Sequence, residues 1–235
     1  NEEIAFEVIK PYVGADIPED VLFRIVSETM TFPIPLVPVT PQIASLELYH
    51  GPTLAFKDIG ARFMSRCLGY FIQQGLPGVQ KPKGNITVLV ATSGDTGGAV
   101  ANGFYGVTGV DVVILFPSGK VSSVQKKQLT TLGCNVHALE VKGSFDDCQQ
   151  LVKQAFADVS LQASLFLTSA NSINVARWLP QQFYYFFAWK QWKQRFEGET
   201  ESPVFCVPSG NFGNICAGIL AFVSGLPVQH FIAAC

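Results

Sequence analysis

The sequence has little charge and no long apolar run, and each shortage argues against a class of protein. Only 14% of its 235 residues are charged, and 16 basic against 18 acidic side chains give a net charge of −2. No cluster of Lys and Arg interleaves with aromatic residues, so nucleic-acid binding has no electrostatic support. The densest apolar run, from Phe183 to Trp189, is far shorter than the roughly 20 residues of a membrane-spanning helix. We therefore expect neither a nucleic-acid nor a membrane partner.

The supply of metal-binding and disulfide-forming residues is also small. The chain has three histidines and six cysteines, with no C-x-x-C pair, a distribution that suits neither zinc nor a disulfide framework. We predict no metal site and interpret the cysteines as reduced, mostly buried thiols of a cytoplasmic protein. One tripeptide favours the opposite location, since Asn85-Ile86-Thr87 is a glycosylation sequon that acts only in an exported chain. Secretion is therefore the alternative.

Regular alternation of short strands and helices begins near residue 80. Hydrophobic residues make up 48% of the chain, enough for a buried core, and their pattern is typical of a parallel sheet covered by helices. The predicted strands are 86–91, 111–116, 135–140, 164–168, 203–207 and 228–233. Helices are predicted after Pro18, after Asp58 and after Ser144, and a buried helix over 172–196 should be kinked by Pro180. The fold class is therefore α/β.

Composition also suggests where the chain divides. The segment Gln80–Gly84 is rich in glycine, proline and lysine, and the kinked helix begins near 172. We predict an N-terminal segment over 1–84, a small α/β domain over 85–172 and the beginning of a larger domain over 173–235. The opening residues Glu2–Val13 alternate only weakly and give no clear prediction.

One lysine lies at the junction of an extended segment and a helix. Lys57 follows a short predicted strand at 45–49 and precedes a helix that Asp58 can cap. Because residues 54–56 are apolar, the Lys57 ammonium should be partly desolvated, which favours a neutral amine that can attack a carbonyl carbon. Taken alone, the pattern is more typical of a lysine whose stem packs on its apolar neighbours.

Two strand-to-helix turns have the composition of anion sites. The segment Pro208–Asn214 follows an apolar strand and precedes a helical run, so backbone N–H groups and a helix N-terminus can face an anion. The segment Ala91–Gly97 is placed in the same way, and Ser93 and Thr96 can donate hydrogen bonds to a carboxylate. Taken singly, each segment is also an ordinary tight turn or a capped helix start.

Together these stretches resemble a known family. The segments HGPTLAFKD at 50–58, ATSGDTG at 91–97, NSIN at 171–174 and PSGNFGN at 208–214 resemble, in the same order, motifs of the threonine synthase family of pyridoxal-phosphate enzymes. The resemblance covers nearly the whole chain and is strongest to the animal threonine synthase-like proteins. It implies a fold type II architecture with two parallel-sheet α/β domains and the cofactor in the cleft, the larger domain being incomplete at residue 235.

The resemblance also implies roles for individual residues. Lys57 is implied as the catalytic lysine that binds pyridoxal 5′-phosphate covalently, with Asp95 near the 3′-oxygen of the cofactor. The implied ligands of the cofactor phosphate are Gly210, Asn211, Phe212, Gly213 and Asn214. Ser93, Gly94 and Thr96 are implied to bind the substrate carboxylate. The candidates for the substrate phosphate are Lys120, Ser172, Asn174 and Arg177, and for Arg177 an ion pair at a domain interface is the alternative.

The implied activity is removal of phosphate from a small phosphorylated hydroxy-amino acid, such as O-phosphothreonine or O-phosphohomoserine. A phospho-lyase would then release 2-oxobutanoate, ammonia and phosphate, whereas a threonine synthase would add water and release threonine. The stronger likeness to the animal proteins favours the phospho-lyase. A third hypothesis is a non-catalytic signalling product exported from the cell, suggested by the stop at Cys235 and the sequon at Asn85.

Overall fold

The computed structural model describes residues 1–75, 84–196 and 201–235. The chain forms two compact units, a terminal unit of Asn1–Gly60 and Val175–Cys235 and a central unit of Ala61–Asn174. The chain thus passes between units at 60/61 and at 174/175, whereas the domain boundaries predicted from the sequence are at residues 84 and 172. Residues 80–83, which suggested the first boundary, lie outside the described residues.

Helices and strands alternate along most of the described chain. In chain order they are α1 (Glu2–Val13), α2 (Glu19–Thr29), β1 (Leu36–Pro38), β2 (Ala44–Leu46), α3 (Asp58–Gln74), β3 (Ile86–Ala91), α4 (Asp95–Phe104), β4 (Val110–Pro117), α5 (Ser123–Thr130), β5 (Val136–Val141), α6 (Phe145–Ala157), α7 (Val159–Ser164), β6 (Phe166–Ser169), α8 (Val175–Trp178), a 3₁₀ turn (Leu179–Gln181), α9 (Gln182–Arg195), β7 (Val204–Pro208), α10 (Gly213–Val223) and β8 (His230–Ala234). The strands predicted from residue 86 onward are confirmed to within two residues at each end.

A four-stranded parallel sheet forms the core of the central unit. The strand order is β5-β4-β3-β6, and β3 pairs with β4 and β6 so that Ile86 lies opposite Val110 and Phe166. Every residue of β3 is buried, as expected for an inner strand of a parallel sheet. Helix α6 packs on this sheet through Cys148 and Val152. Because the strands are parallel, the loops that follow β3, β4 and β6 start from the same edge of the sheet.

In the terminal unit, helix α9 forms the centre. Its residues Phe183, Tyr184 and Phe187 are buried, and α9 packs against α1 and α10. The ring of Tyr185 packs edge-on against Phe205 of β7, with ring centres 5.1 Å apart. The prediction of a buried helix kinked at Pro180 is therefore confirmed for residues 175–195, and the kink is the 3₁₀ turn that contains Pro180. Residues 172–174, which the prediction included, form a turn.

Two features of the fold differ from the sequence analysis. Residues Glu2–Val13 form helix α1, and its buried positions Ala5 and Ile9 are one helical turn apart. All six cysteines are free, but only Cys67 and Cys148 are buried, so the interpretation of the thiols as mostly buried is wrong. The four exposed cysteines lie in β7, in α10, in the turn before β5 and at residue 235. Within the described ranges, no helix is both long enough and apolar enough to cross a bilayer.

The close packing of α4 generates a prediction. A Cβ atom on Gly97 would lie 2.5 Å from Thr92 Cγ2 and 2.8 Å from Leu129 Cδ2, whereas one on Gly98 would meet the flexible end of Gln128 at 3.0 Å. We expect Gly97→Ala to lower the free energy of unfolding by about 1–3 kcal/mol through overpacking. The control Gly98→Ala should be neutral or stabilising by up to about 1 kcal/mol, because alanine favours helix. Urea unfolding of both variants tests this, and equal losses would contradict it.

Candidate active site

Lys57 ends a series of turns that leads directly into α3. Leu54 N donates to Gly51 O over 3.0 Å, and Asp58 N donates to Ala55 O over 3.1 Å. The Lys57 side chain is half-buried, and its Nζ lies 4.5 Å from the centre of the Phe56 ring. The predicted position of Lys57 immediately before a helix, beside an apolar neighbour, is confirmed.

Hydrogen bonds hold the residues on both sides of Lys57. The Tyr184 hydroxyl donates to the Phe56 carbonyl oxygen. The Asp58 carboxylate accepts hydrogen bonds from Thr53 N, over 3.0 Å, and from the Thr53 hydroxyl. Asp58 is the first residue of α3, not the residue before it, and its side chain reaches back to Thr53. The backbone on each side of Lys57 is therefore held by side chains of the terminal unit.

A buried arginine lies beside this turn. Arg177 is 1% exposed, and a Cβ atom on Gly60 would overlap the Arg177 carbonyl oxygen, so the first turn of α3 lies directly against residue 177. Burial lowers the pKa of the Arg177 guanidinium to about 10, and the nearby Tyr184 and Asp58 side chains oppose that shift, Asp58 through its carboxylate charge. Burial, and then the Asp58 carboxylate, raise the pKa of Tyr184 well above its usual value. The Tyr184 hydroxyl therefore keeps its proton at neutral pH.

This environment bears on the predicted role of Arg177 as a ligand of the substrate phosphate. That role requires a guanidinium that a phosphate can reach, whereas the side chain is 1% exposed and lies near Asp58. A buried guanidinium needs a compensating charge, and the Asp58 carboxylate supplies one. Burial near Asp58 favours an ionic interaction within the terminal unit, whereas the alternative drawn from the sequence was an ion pair at a domain interface. The phosphate role of Arg177 stays a prediction.

The segment 209–212 connects β7 to α10 and has the features of an anion site. Gly210, Asn211 and Phe212 are exposed, and a Cβ atom on Gly210 would meet nothing within 4 Å. Phe212 precedes α10 and provides no side-chain cap. The first N–H groups of α10, beginning with Gly213, therefore have no intrahelical acceptor, and the helix dipole favours an anion at this end.

Two loops of the terminal unit adopt an unusual backbone conformation. Leu54 has a φ of 59° and Phe212 a φ of 56°, in the left-handed region that side chains other than glycine rarely occupy. One residue lies in the turn that carries Lys57 and the other at the start of α10. Such conformations concentrate at functional sites, where surrounding contacts hold them.

The side chain of Asn214 faces the interior. The Tyr185 hydroxyl donates to Asn214 O over 2.9 Å, or to Asn214 Oδ1 over 2.8 Å. Asn214 Nδ2 donates to Gln181 Oε1 over 2.9 Å. Of the five predicted phosphate ligands, Asn214 can thus offer its backbone N–H, while its side chain contacts Tyr185 and Gln181.

These features fit pyridoxal phosphate. Its phosphate requires several N–H donors and open space, which the start of α10 provides, and its aldehyde requires an amine, which Lys57 provides in the same unit. Both the Lys57 amine and the N–H donors lie at the start of a helix, since α3 begins directly after Lys57 and α10 begins at Gly213.

In the central unit, the predicted substrate residues lie at one edge of the sheet. Ser93, Gly94 and Thr96 follow β3, Lys120 follows β4, and Ser172 and Asn174 follow β6. Since these three strands are parallel neighbours in the sheet, the three loops start from the same edge, where ligands of open α/β sheets usually bind. The described topology therefore brings these residues to a common edge.

Thr92 shapes the loop after β3, although it was not among the site residues predicted from the sequence. Its buried hydroxyl donates to Gly94 O over 3.0 Å and accepts from Gly94 N and Gly97 N over 3.1 and 2.9 Å. The N-cap of α4 is Gly94, without a side-chain cap, so the capped helix start considered for Ser93 and Asp95 is not formed. A hydroxyl residue two positions before a glycine was the available signal.

Two further contacts define these loops. Asp95 Oδ1 accepts a hydrogen bond from Gln125 Nε2 over 2.8 Å. In the loop after β6, Asn174 Nδ2 donates to Ser169 O over 2.8 Å, whereas Asn171 Oδ1 is buried with no hydrogen-bond partner among the described residues. A buried acceptor of this kind is costly unless a ligand or water satisfies it.

Comparison with known proteins identifies the class to which the chain belongs. The family described as "Pyridoxal-phosphate dependent enzyme" matches residues 39–235. The chain therefore belongs to this family, and the predicted cofactor, pyridoxal 5′-phosphate, is confirmed.

Several relatives of the chain are named threonine synthases. The chain is 48% identical over 227 residues to a threonine synthase of Serratia marcescens and 47% identical over 228 residues to one of Escherichia coli K12, covering 97% of this chain and 50% of each relative. Among solved structures, it resembles the threonine synthase from Escherichia coli, with a TM-score of 0.87 and 45% identity over 99% of this chain and 52% of that one.

A pyridoxal-phosphate-bound threonine synthase from Brucella melitensis gives a TM-score of 0.86 and 41% identity, covering 99% of this chain and 49% of the neighbour. The predicted family resemblance and the α/β fold class are thus confirmed. The chain spans about half the length of the relatives it matches.

The electrostatic coupling of Arg177 and Asp58 is testable in a double-mutant cycle. Arg177→Met leaves a buried carboxylate without its compensating charge and should cost about 3–5 kcal/mol of unfolding free energy. Asp58→Asn should also destabilise the protein, but the double variant should recover part of the summed loss, because no isolated charge remains buried. Denaturant unfolding of the four proteins measures the coupling, and strictly additive losses would contradict it.

Proposed function

We propose that the protein containing this chain is a pyridoxal-phosphate-dependent carbon–oxygen lyase that acts on a phosphorylated hydroxy-amino acid, such as O-phosphohomoserine or O-phosphothreonine. The observation that carries the proposal is the presence of a half-buried lysine and an uncapped strand-to-helix loop in one compact unit of the threonine synthase fold. An amine and a phosphate site together are what the cofactor requires.

The chain's own residues divide the work of cofactor binding and proton transfer. When bound, pyridoxal phosphate supplies an electron sink that stabilises negative charge at the substrate Cα. Lys57 would hold the cofactor through Nζ and, once the substrate amine has taken its place, would accept the Cα proton at Nζ. Residues Gly210–Gly213 and the backbone N–H of Asn214 would bind the cofactor phosphate.

The central unit would hold the substrate. The backbone N–H of Thr96 at the start of α4 and the hydroxyl of Ser93, with Gly94 giving close backbone approach, suit the substrate carboxylate. Lys120, Ser172 and Asn174, at the same sheet edge, are the candidates for its phosphate. The Asp95 carboxylate, oriented by Gln125, is proposed to lie beside the cofactor's 3′-oxygen. Arg177 is left out of this set because its guanidinium is buried.

Two products can follow the loss of phosphate. We propose release of 2-oxobutanoate and ammonia, which requires no water molecule positioned against Cβ. The second candidate is threonine synthase, which is favoured by the names of the relatives at 47–48% identity. The non-catalytic signalling hypothesis has no support from the comparisons, because the relatives are named as enzymes. A cytoplasmic location stays a prediction.

The covalent role of Lys57 is the first point to test. Borohydride reduction of the full-length protein loaded with pyridoxal phosphate should attach the cofactor to Lys57, as read by peptide mass spectrometry. Lys57→Ala should abolish both the tag and the visible absorbance of the bound cofactor, because the covalent attachment is lost. The control Lys142→Ala should keep both. A tag on Lys120 or Lys142 in the unaltered protein would contradict the assignment.

Product analysis tests the reaction itself. Given O-phosphohomoserine or O-phosphothreonine, the full-length protein should release phosphate and 2-oxobutanoate, as followed by NMR, because protonation and hydrolysis complete the lyase reaction without a further catalytic group. Threonine as the main product would replace the lyase by a threonine synthase. No phosphate release from either compound by the cofactor-loaded protein would contradict the proposal as a whole.

A further inference from the structure

A line of two side-chain hydrogen bonds and one close backbone contact joins the start of α10 to the start of α3. It begins at Asn214, whose Nδ2 donates to Gln181 Oε1 over 2.9 Å. Gln181 Nε2 then donates to the carbonyl oxygen of Arg177 over 3.1 Å. That carbonyl lies directly against Gly60 in the first turn of α3. Gln181 is therefore hydrogen-bonded through its oxygen to Asn214, in the first turn of α10. Through its nitrogen it is bonded to Arg177, whose carbonyl lies against the first turn of α3.

Most of this line is shielded from water. Gln181 is 4% exposed and Arg177 1% exposed, so the hydrogen bond between them is buried and is stronger than it would be in water, while the bond from Asn214 is partly buried. Each end is held by a further contact from α9. The Tyr185 hydroxyl bonds Asn214, and the Tyr184 hydroxyl bonds the Phe56 carbonyl beside Lys57.

We propose that Gln181 is a positioning residue that sets the distance between the Lys57 amine and the loop 209–212, which is proposed to bind the cofactor phosphate. The inference rests on the proposed function. Pyridoxal phosphate must be bound at its aldehyde and at its phosphate at the same time, so the two subsites reinforce each other only when they are held at the ligand's own spacing. Gln181 acts through Asn214 and Arg177. It should therefore affect the affinity for pyridoxal phosphate, which carries the aldehyde and the phosphate in one molecule, more than the affinity for either group alone.

The test compares three probes on the full-length apoprotein: pyridoxal phosphate, pyridoxal, which lacks the phosphate, and inorganic phosphate. Gln181→Met keeps the length of the side chain and removes both hydrogen bonds. We expect the affinity for pyridoxal phosphate, measured by absorbance titration, to fall about tenfold, because small displacements of one bound group against another are costly. Borohydride trapping of pyridoxal on Lys57, and phosphate binding followed by phosphorus NMR, should change less than about twofold, since each subsite alone is intact.

The neighbouring residue gives a matched control. Gln182 is also buried, and its Nε2 donates to the carbonyl oxygen of Leu179 over 3.1 Å, outside the line that joins α10 to α3. Gln182→Met should therefore cost comparable stability and leave the affinity for pyridoxal phosphate unchanged.

A second variant covers the case in which Gln181→Met does not fold. Gln181→Leu also removes both hydrogen bonds and adds no charge, so we expect the same fall of about tenfold in the affinity for pyridoxal phosphate if it is the only variant that folds.

The outcomes separate this inference from the proposed function. Unchanged affinity for pyridoxal phosphate in the folded Gln181 variants would overturn the inference, and so would an equal fall for all three probes, which is the result of a purely structural role. If the unaltered protein is not labelled on Lys57 by pyridoxal phosphate at all, the proposed function fails, and the inference fails with it before any variant is compared.

Discussion

Charge compensation inside the terminal unit is the constraint on which the geometry of the Lys57 turn depends. The guanidinium of Arg177 is almost fully buried, and a charge in that position persists only beside an opposite charge. Asp58 supplies that charge and is at the same time hydrogen-bonded to Thr53. Because Asp58 is the residue after Lys57, the requirement to neutralise Arg177 also fixes where the lysine leaves the backbone.

Helix capping separates the turns proposed to bind anions from the turns proposed to be structural. Helices α5 and α6 each begin with a complete capping box, formed by Ser122 with Gln125 and by Ser144 with Asp147. Helices α4 and α10 also follow strands but have no side-chain cap, which forgoes about 1 kcal/mol of stability at each start. In α10 the first N–H groups are then available to a ligand, whereas in α4 the Thr92 hydroxyl accepts from Gly97 N. The missing side-chain cap therefore agrees best with the anion site inferred from the sequence at 208–214.

The parts of the molecule that could be predicted from the sequence are those that depend on residues adjacent in the chain. Continuous apolar runs such as Val112–Phe116 define inner strands, and Ser144 marks the start of α6, so these elements were predictable. Helix α1 was not, because Pro11 lies within it and its alternation is weak. The roles of Arg177 and Gln181 depend on Asp58 and Asn214, which are distant in the chain, so no local pattern could indicate them. The position of Lys57 was predictable, whereas the contacts that hold it were not.

Stored strain gives a physical reason for the contacts around both loops of the terminal unit. Left-handed conformations at Leu54 and Phe212 cost about 1–3 kcal/mol each and persist only where surrounding contacts impose them. The Tyr184 bond to Phe56 and the Tyr185 bond to Asn214 hold the chain two residues beyond each strained position. Both tyrosines are consecutive residues of α9, the central helix of the unit. A rigid helix that holds both loops prepares them before a ligand arrives, and a ligand that finds its two subsites already in place loses less affinity to ordering them.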